Sequence, residues 1–250
     1  MKVVRHWLAV PLVAMSMTGS SLVFAGEALA SEKAASGQAA LNNYHAIYEV
    51  QRGGSDYGEA MRKLESIGEG QYRLLNETQI SFLFLSDVRR YDSRFAFAKG
   101  QVEPLEFHFK RSGTGRNKGI HVSFDSKTKQ VKDAEADVAL PVKWHEALMD
   151  EASMLEQLRY DLQHSEAKEF SYHLVDDKGE YDKQKFVRGE VETFTVPYGE
   201  VKGLRVERIR ENSRRETTYW FAPEMNYVLV KMQQRKEGDE VATLLLEQLD

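Results

Sequence analysis

The sequence predicts a mainly β protein. The expected form is a curved antiparallel sheet, as an open barrel or a sandwich meander, with one amphipathic helix packed on it. Three observations carry this prediction. Apolar and polar residues alternate with a period of two over successive short stretches. Clusters of turn-forming residues interrupt the alternation every 8–15 residues through the C-terminal half. One segment alone changes period: Trp144, Leu148, Leu155, Leu158 and Leu162 stand four, seven, three and four residues apart, the spacing of a single helical stripe.

In chain order, Lys2 and Arg5 precede a charge-free run from Trp7 to Ala25. The small-x-small patterns ending at Ala25 and Ala30 read as cleavage sites of an export signal over residues 1–25, with cleavage as late as residue 30. An uncleaved anchor is the rival reading, but Ser16, Thr18, Gly19, Ser20 and Ser21 make the second half of the run weakly apolar. Residues 26–40 are small and polar and read as a flexible leader. Residues 41–250 then form a single β-rich domain, since nothing around the predicted helix resembles a free linker.

The strand Tyr44–Gln51 runs into Arg52-Gly53-Gly54-Ser55-Asp56-Tyr57-Gly58, a loop rich in residues that tolerate positive φ. A second strand, a turn at Gly68-Glu69-Gly70 and a strand from Gln71 follow. The nearly continuous apolar run Ile80–Leu85 reads as a strand buried on both faces. Leu105–Arg111 and Gly119–Asp125 form the clearest hairpin. Leu105, Phe107 and Phe109 share one face of the first strand, and Ile120, Val122 and Phe124 share one face of the second. Matching the apolar faces sets 107 opposite 122 and 109 opposite 120, because a slip of one residue would turn charges inward. The helix is expected over about 142–164, with Pro141 ahead of it. Strands are expected at 170–175, 185–196, 203–211, 215–221, 226–235 and 240–249.

Composition narrows the function. There is no cysteine, which excludes disulfides, thiol nucleophiles, cysteine-bound metals and a lipoprotein anchor. The formal charge of −5 becomes about −7 once Lys2 and Arg5 leave with the signal, an unfavourable balance for binding nucleic acid. His145-Glu146 opens like H-E-x-x-H, but Met149 stands where the second histidine is required; His145 reads as a residue on the helix surface. Ser55 lies in a turn and not in a G-x-S-x-G elbow, and the glycines between Gly113 and Gly119 make no phosphate-binding loop. His108 and His121 fall on the polar faces of the hairpin in a register that can set them opposite each other. Together with Glu106 and Asp125 they are the weak metal candidates. Lys202, Arg205, Arg208, Arg210, Arg214 and Arg215 make a local basic excess suited to an anionic partner, or equally a salt-bridged solvent face. Aromatic strands could line an apolar cavity or fill an ordinary core.

Three stretches, in order, carry a family resemblance: Leu155–Leu162 on the helix, Thr195-Val196-Pro197-Tyr198-Gly199, and Trp220-Phe221-Ala222-Pro223-Glu224-Met225-Asn226-Tyr227-Val228-Leu229-Val230-Lys231. With the leading signal and an early Tyr-x-Val strand, the chain resembles the exported bacterial proteins of domain-of-unknown-function family 3108 over residues 44–249. It departs from them at Val228-Leu229-Val230, where such proteins usually carry a proline. The resemblance implies a β-rich envelope protein without an established activity and without catalytic residues to transfer. A likeness in general shape to lipoprotein-carrier folds is architectural analogy only.

The leading expectation is a soluble, exported, periplasmic protein that is not an enzyme and needs no cofactor. It binds a lipid-like apolar ligand or an envelope protein partner, and has no membrane span after signal removal. Phe82, Phe84, Phe107, Phe109, Leu155, Leu158 and Trp220 are its candidate ligand-binding residues. The alternatives are a metal-assisted enzyme centred on His108 and His121, and a structural envelope component that pairs through a sheet edge.

Overall fold

Among the described residues, fifteen strands pair in one sheet whose order nearly repeats the order of the sequence. The computed structural model describes residues 40–210 and 214–250, without the side chain of Phe82. The expected signal, all of the leader except residue 40, and the turn at Glu211-Asn212-Ser213 lie outside the described residues. The strands are β1 (Tyr44–Arg52), β2 (Ser55–Gly68), β3 (Gln71–Phe82), β4 (Leu85–Ala98), β5 (Gln101–Gly113), β6 (Lys118–Asp125), β7 (Gln130–Asp133) and β8 (Val138–Ala139). There follow β9 (Leu148–Asp150), the helix α1 (Met154–His164), β10 (Glu169–Val175), β11 (Tyr181–Val196), β12 (Gly199–Ile209), β13 (Arg215–Ala222), β14 (Val228–Lys236) and β15 (Asp239–Leu249). A 3-10 turn at Pro223–Met225 joins β13 to β14. The sheet runs β8 to β1 by successive hairpins, passes to β15, and returns to β10 and β9. Pairing is antiparallel except between β9 and β10.

Alternation builds the core. Along β1, Tyr44, Ala46, Tyr48 and Val50 are buried while the residues between them are half-exposed. In β4 the buried row is Ser93, Phe95 and Phe97. The β5–β6 hairpin takes the expected register, with Phe107 opposite Val122 and Phe109 opposite Ile120. Leu105 departs from its expected face. A bulge against Arg94 and Phe95 leaves it outside the ladder, so buried Pro104 takes the inward place.

The helix shows how strongly the sheet curves. Gln157 accepts from the Val102 N–H of β5 at 2.8 Å and donates to Asp161 at 2.9 Å, and Asp161 accepts from the Tyr172 hydroxyl of β10 at 2.7 Å. Strands β5 and β10 stand ten places apart in the sheet, which would separate them by about 48 Å if it were flat. The sheet therefore curls until its two arms meet around α1. Edge strand β9 completes the curl: its buried Asp150 accepts from Ser93 Oγ of β4 at 2.7 Å. Side chains, not ladder hydrogen bonds, bridge this seam, and the sheet stays open as a barrel.

The helix is shorter than its periodicity suggested. Residues 142–153, expected as its first half, hold turns and the parallel strand β9. Leu148 and Met149 face the core from that strand, so Leu148 matched the helical stripe by coincidence. The boundary is set by Asp150, whose Oδ1 accepts from the Ala152 and Ser153 N–H groups, both at 2.9 Å. His145 consequently lies ahead of the helix and stacks on His173 with ring centroids 4.4 Å apart. Similarly, Ile80–Leu85 is not a strand buried on both faces. It is the end of β3, a turn at Leu83-Phe84, and the start of β4.

Candidate ligand-binding cleft

The inward rows of the sheet taper from the helix toward the far end. Near α1 they carry Leu64, Leu74, Phe95 and Phe97, which are buried in one core with Leu158 and Leu162. Farther along the same strands the inward places fall to Ala60 of β2, Thr78 of β3 and Ala242 of β15. Less side-chain volume across a curved surface leaves a cleft. Its deeper part encloses about 380 Å³ between Tyr48, Val50, Ile80, Met232 and Leu244, with Leu155 of the helix as its floor. A mouth of about 330 Å³ continues it past Val50, Ile80 and Ala242 to Arg52, Leu85, Asp87 and Arg111. A side branch beneath Leu155 reaches Glu151, Gln184, Arg208 and Tyr219.

Buried charges fix the floor. Glu156 of α1 is 1% exposed, yet it accepts from the Tyr44 hydroxyl at 2.7 Å, Arg62 Nη2 at 2.9 Å and Arg159 Nε at 2.8 Å. Burial alone would raise its pKa, but Arg159 and Arg62 outweigh burial and hold the carboxyl below its usual range. Arg62 also donates to the Ala152 carbonyl, and Arg159 to the carbonyls of Asn42 and Asn226. One carboxylate thus ties the helix to β1, β2 and the β13–β14 turn. At the mouth, Asp87 accepts from Arg111 at 2.7 Å and Arg89 at 3.0 Å. Although burial opposes it, these two guanidiniums keep Asp87 ionised below the ordinary range. In the side branch, burial and the neighbouring Asp177 push Glu151 up to about 7. Burial raises the Tyr48, Tyr91 and Tyr219 phenols, so the phenolic wall stays neutral.

Of the residues expected to bind ligand, Leu155 lines the cleft. Phe107 and Phe109 face inward but are consumed by core packing against Tyr91, at centroid distances of 6.2 and 4.8 Å, and Leu158 is fully buried beneath the floor. Trp220 occupies the opposite face of the sheet. Its Nε1–H donates to Glu192 at 2.9 Å, and Lys231 Nζ lies 4.5 Å from its ring. Its neighbours Tyr219 and Phe221 take the inward places. Phe84 is almost fully exposed at the β3–β4 turn and lines nothing. Phe82 pairs with Leu85 at the end of that hairpin. The polar lining (Arg62, Asn76, Arg89 and Gln234) was missed in the sequence. Its signal was inward period-two placement on the strands that carry small residues.

The basic group does not converge. Arg205 faces outward, 3.8 Å from Glu192, and also pairs with Glu207. Arg208 turns inward to Asp182 at 3.1 Å, and Arg210 donates to Thr217 Oγ1 at 3.0 Å. Arg214 stands 3.8 Å from Glu237, and Arg215 lies opposite Lys236 in the β13–β14 ladder. His108 does stand directly opposite His121, with stacked rings 5.2 Å apart. The carboxylates offered to that pair are occupied elsewhere: Glu106 lies 3.5 Å from Arg94, and Asp125 caps the β6–β7 turn through the N–H groups of Lys127 and Thr128. Among the described residues no group of three or more His, Asp or Glu side chains is placed to hold a metal ion.

Residues 48–245 match the family model described as a protein of unknown function, DUF3108. No curated protein matches the sequence. Among solved structures, the chain is similar to a β-barrel-like protein of domain of unknown function DUF1849 from Brucella abortus. Identity is 14%, covering 84% of this chain and 98% of that one, with a TM-score of 0.56. The likeness concerns the fold alone. A protein from Bacteroides fragilis described as exported and of YmcC-like fold aligns over 84% of this chain and 97% of its own, at 9% identity and a TM-score of 0.31, too distant to carry an argument.

Proposed function

This chain belongs to the DUF3108 family, and we propose that it is a non-enzymatic, exported envelope protein that holds a lipid-like amphiphile in the cleft of its curved sheet. The observation that carries this reading is the taper of the inward rows, which leaves about 380 Å³ bounded by Tyr48, Val50, Ile80, Leu155, Met232 and Leu244. That volume lies within the usual range for small-molecule sites, roughly 300–1,000 Å³. The apolar wall takes the chain of the amphiphile. The side branch takes its acceptor group, because Arg208 Nε is buried there without a hydrogen-bond partner among the described residues. Envelope location rests on Lys2, Arg5 and the charge-free run that follows them.

Native mass spectrometry of the mature protein, isolated gently from a periplasmic extract, tests the reading. A bound mass in the lipid range is expected, and a polyene fatty-acid probe should compete with it. Ala60→Leu fills the cleft from β2 and should lower probe affinity at least tenfold with little loss of fold. A bare polypeptide mass together with no probe binding sinks the proposal.

A further inference from the structure

The β3–β4 turn breaks two rules at once. Four other tight turns of the sheet place glycine at the second position, in Gly53-Gly54, Glu69-Gly70, Lys99-Gly100 and Glu237-Gly238, each with positive φ at both residues. Between β3 and β4 the turn is Leu83-Phe84, and Leu83 holds a φ of 54°. Glu69, Lys99 and Glu237 hold the same conformation at the first position of their turns, with φ of 52, 55 and 56°, so what sets this turn apart is the apolar pair and the lack of glycine at its second position. The same residues are bare: Leu83, Phe84 and Leu85 are 82, 97 and 60% exposed. Three consecutive exposed apolar residues at a turn where the sheet elsewhere places charged residues and glycine oppose solubility, a feature expected where function demands it.

The surroundings identify what the tip meets. It is held in place by the β5–β6 loop: Thr114 N–H donates to the Ser86 carbonyl at 2.8 Å and Ser86 N–H to Thr114 Oγ1 at 3.0 Å. That loop carries exposed Arg116, exposed Lys118 opens β6 directly after it, and Arg52 stands with Leu85 at the mouth of the cleft. Asp87, the carboxylate of the mouth, is paired with Arg89 and Arg111, while Glu49, Asp56, Glu59 and Glu247 gather in a separate pocket with Gln79 and Ser81. An apolar point with exposed cations beside it matches an anionic lipid surface. Three side chains can bury about 500 Å², short of the roughly 800 Å² per partner of a stable protein interface. We propose that Leu83-Phe84-Leu85 is an insertion tip that seats the mouth of the cleft on an anionic lipid surface.

Flotation with vesicles of phosphatidylglycerol and phosphatidylethanolamine, against phosphatidylcholine alone, tests this. The mature protein should float with the anionic vesicles and far less with the neutral ones. Leu83→Gly/Phe84→Ser should reduce partition about tenfold or more. Because the glycine relieves the turn, its melting temperature should not fall. Arg116→Glu/Lys118→Glu, at exposed residues that do not line the cleft, should weaken anionic binding while leaving fatty-acid probe binding unchanged. Failure of the native protein to float, equal flotation of the tip variant, or a tip-dependent protein complex without vesicle binding would overturn the proposal. None of these results depends on whether the cleft holds ligand.

Discussion

Replacing Glu156 by glutamine removes the negative charge from the most buried ionic cluster of the protein while keeping shape and one acceptor. In the native state Glu156 neutralises Arg62 and Arg159, whose exposures are 5 and 4%. The variant leaves both guanidiniums charged in a site closed to water, and breaking a buried pair in this way costs about 3–5 kcal/mol. Measured against the roughly 5–15 kcal/mol that holds a typical domain folded, the loss is large. At about 2–4 °C per kcal/mol for a chain of this size, it corresponds to a fall in Tm of roughly 10 °C. Urea unfolding followed by far-ultraviolet circular dichroism at pH 7, with an unchanged m-value, reads it directly. Tyr44→Phe deletes the hydroxyl that donates to Glu156 and accepts from Arg62 Nε at 2.8 Å, leaves both charges in place, and should cost less, about 1–3 kcal/mol. The acid side supplies a second check. The folded-state pKa of Glu156 lies below its unfolded value of 4.5, so its contribution is complete above that value and is lost as pH falls through the folded pKa. The gap between wild type and variant should therefore close in strong acid. A loss below about 1 kcal/mol at pH 7, or a gap independent of pH, would falsify the cluster as the anchor of the helix.

Glu151 works with the opposite sign: its folded pKa of about 7 exceeds the ordinary 4.5, so its stabilising effect is complete below 4.5 and lost as pH rises through 7. Glu151→Gln should abolish a decline of up to about 3 kcal/mol between those values, measured by urea midpoints at successive pH. A methyl at Gly203 would meet Phe194 and the Trp220 Cβ at 2.9 Å on the outer face, so Gly203→Ala should cost about 1–3 kcal/mol by overpacking and perturb Trp220 fluorescence. His121→Ala removes half of the stacked pair from a wet face; stability should change by less than about 0.5 kcal/mol. Calorimetric titration with zinc should show no stoichiometric binding to wild type that the variant loses, and the contrary result would revive the metal-centred reading.

Legibility followed the range of the interactions. The β5–β6 register could be read because period two and a single apolar face leave one pairing, and His108 opposite His121 is its necessary consequence. The sheet as a whole could be read from its turns, but its curvature could not, since nothing local in β5 or β10 announces that Gln157 and Asp161 will bridge them. The first half of the helix failed for a local reason. Leu148 belongs to a strand whose partner, β10, comes later in the chain, and the spacing of four from Trp144 mimicked a helix. Asp150 and Ser153, standing before the first helical residue, were the better boundary signal. Trp220 shows the limit of alternation: period two separates it from Tyr219 and Phe221 but does not say which face is inward. Glu156 and Arg159 look like solvated helix charges because Arg62, which makes their burial tolerable, stands 94 residues away from Glu156.

The two ends of the molecule follow from one another. At the helix end, Leu64, Leu74, Phe95, Phe97, Leu158 and Leu162 belong to one buried core; the Glu156 cluster holds α1 to the neighbouring strands β1 and β2 at the middle of the sheet, and Gln157 and Asp161 bridge its arms at β5 and β10. That end is where the curl is enforced. Once it is fixed there, the sheet runs on to the mouth with Ala60, Thr78 and Ala242 inward, and a sheet held open at fixed curvature cannot collapse to fill the space they leave. The cleft is therefore a consequence of a tight floor below small residues. Loosening the floor should close it: Glu156→Gln, even where still folded, should lose affinity for the fatty-acid probe, whereas a tip variant outside the cleft such as Leu83→Gly should keep it. Equal probe affinity in wild type and Glu156→Gln would mean that the sheet keeps its curvature without the helix, and that the cleft has another cause.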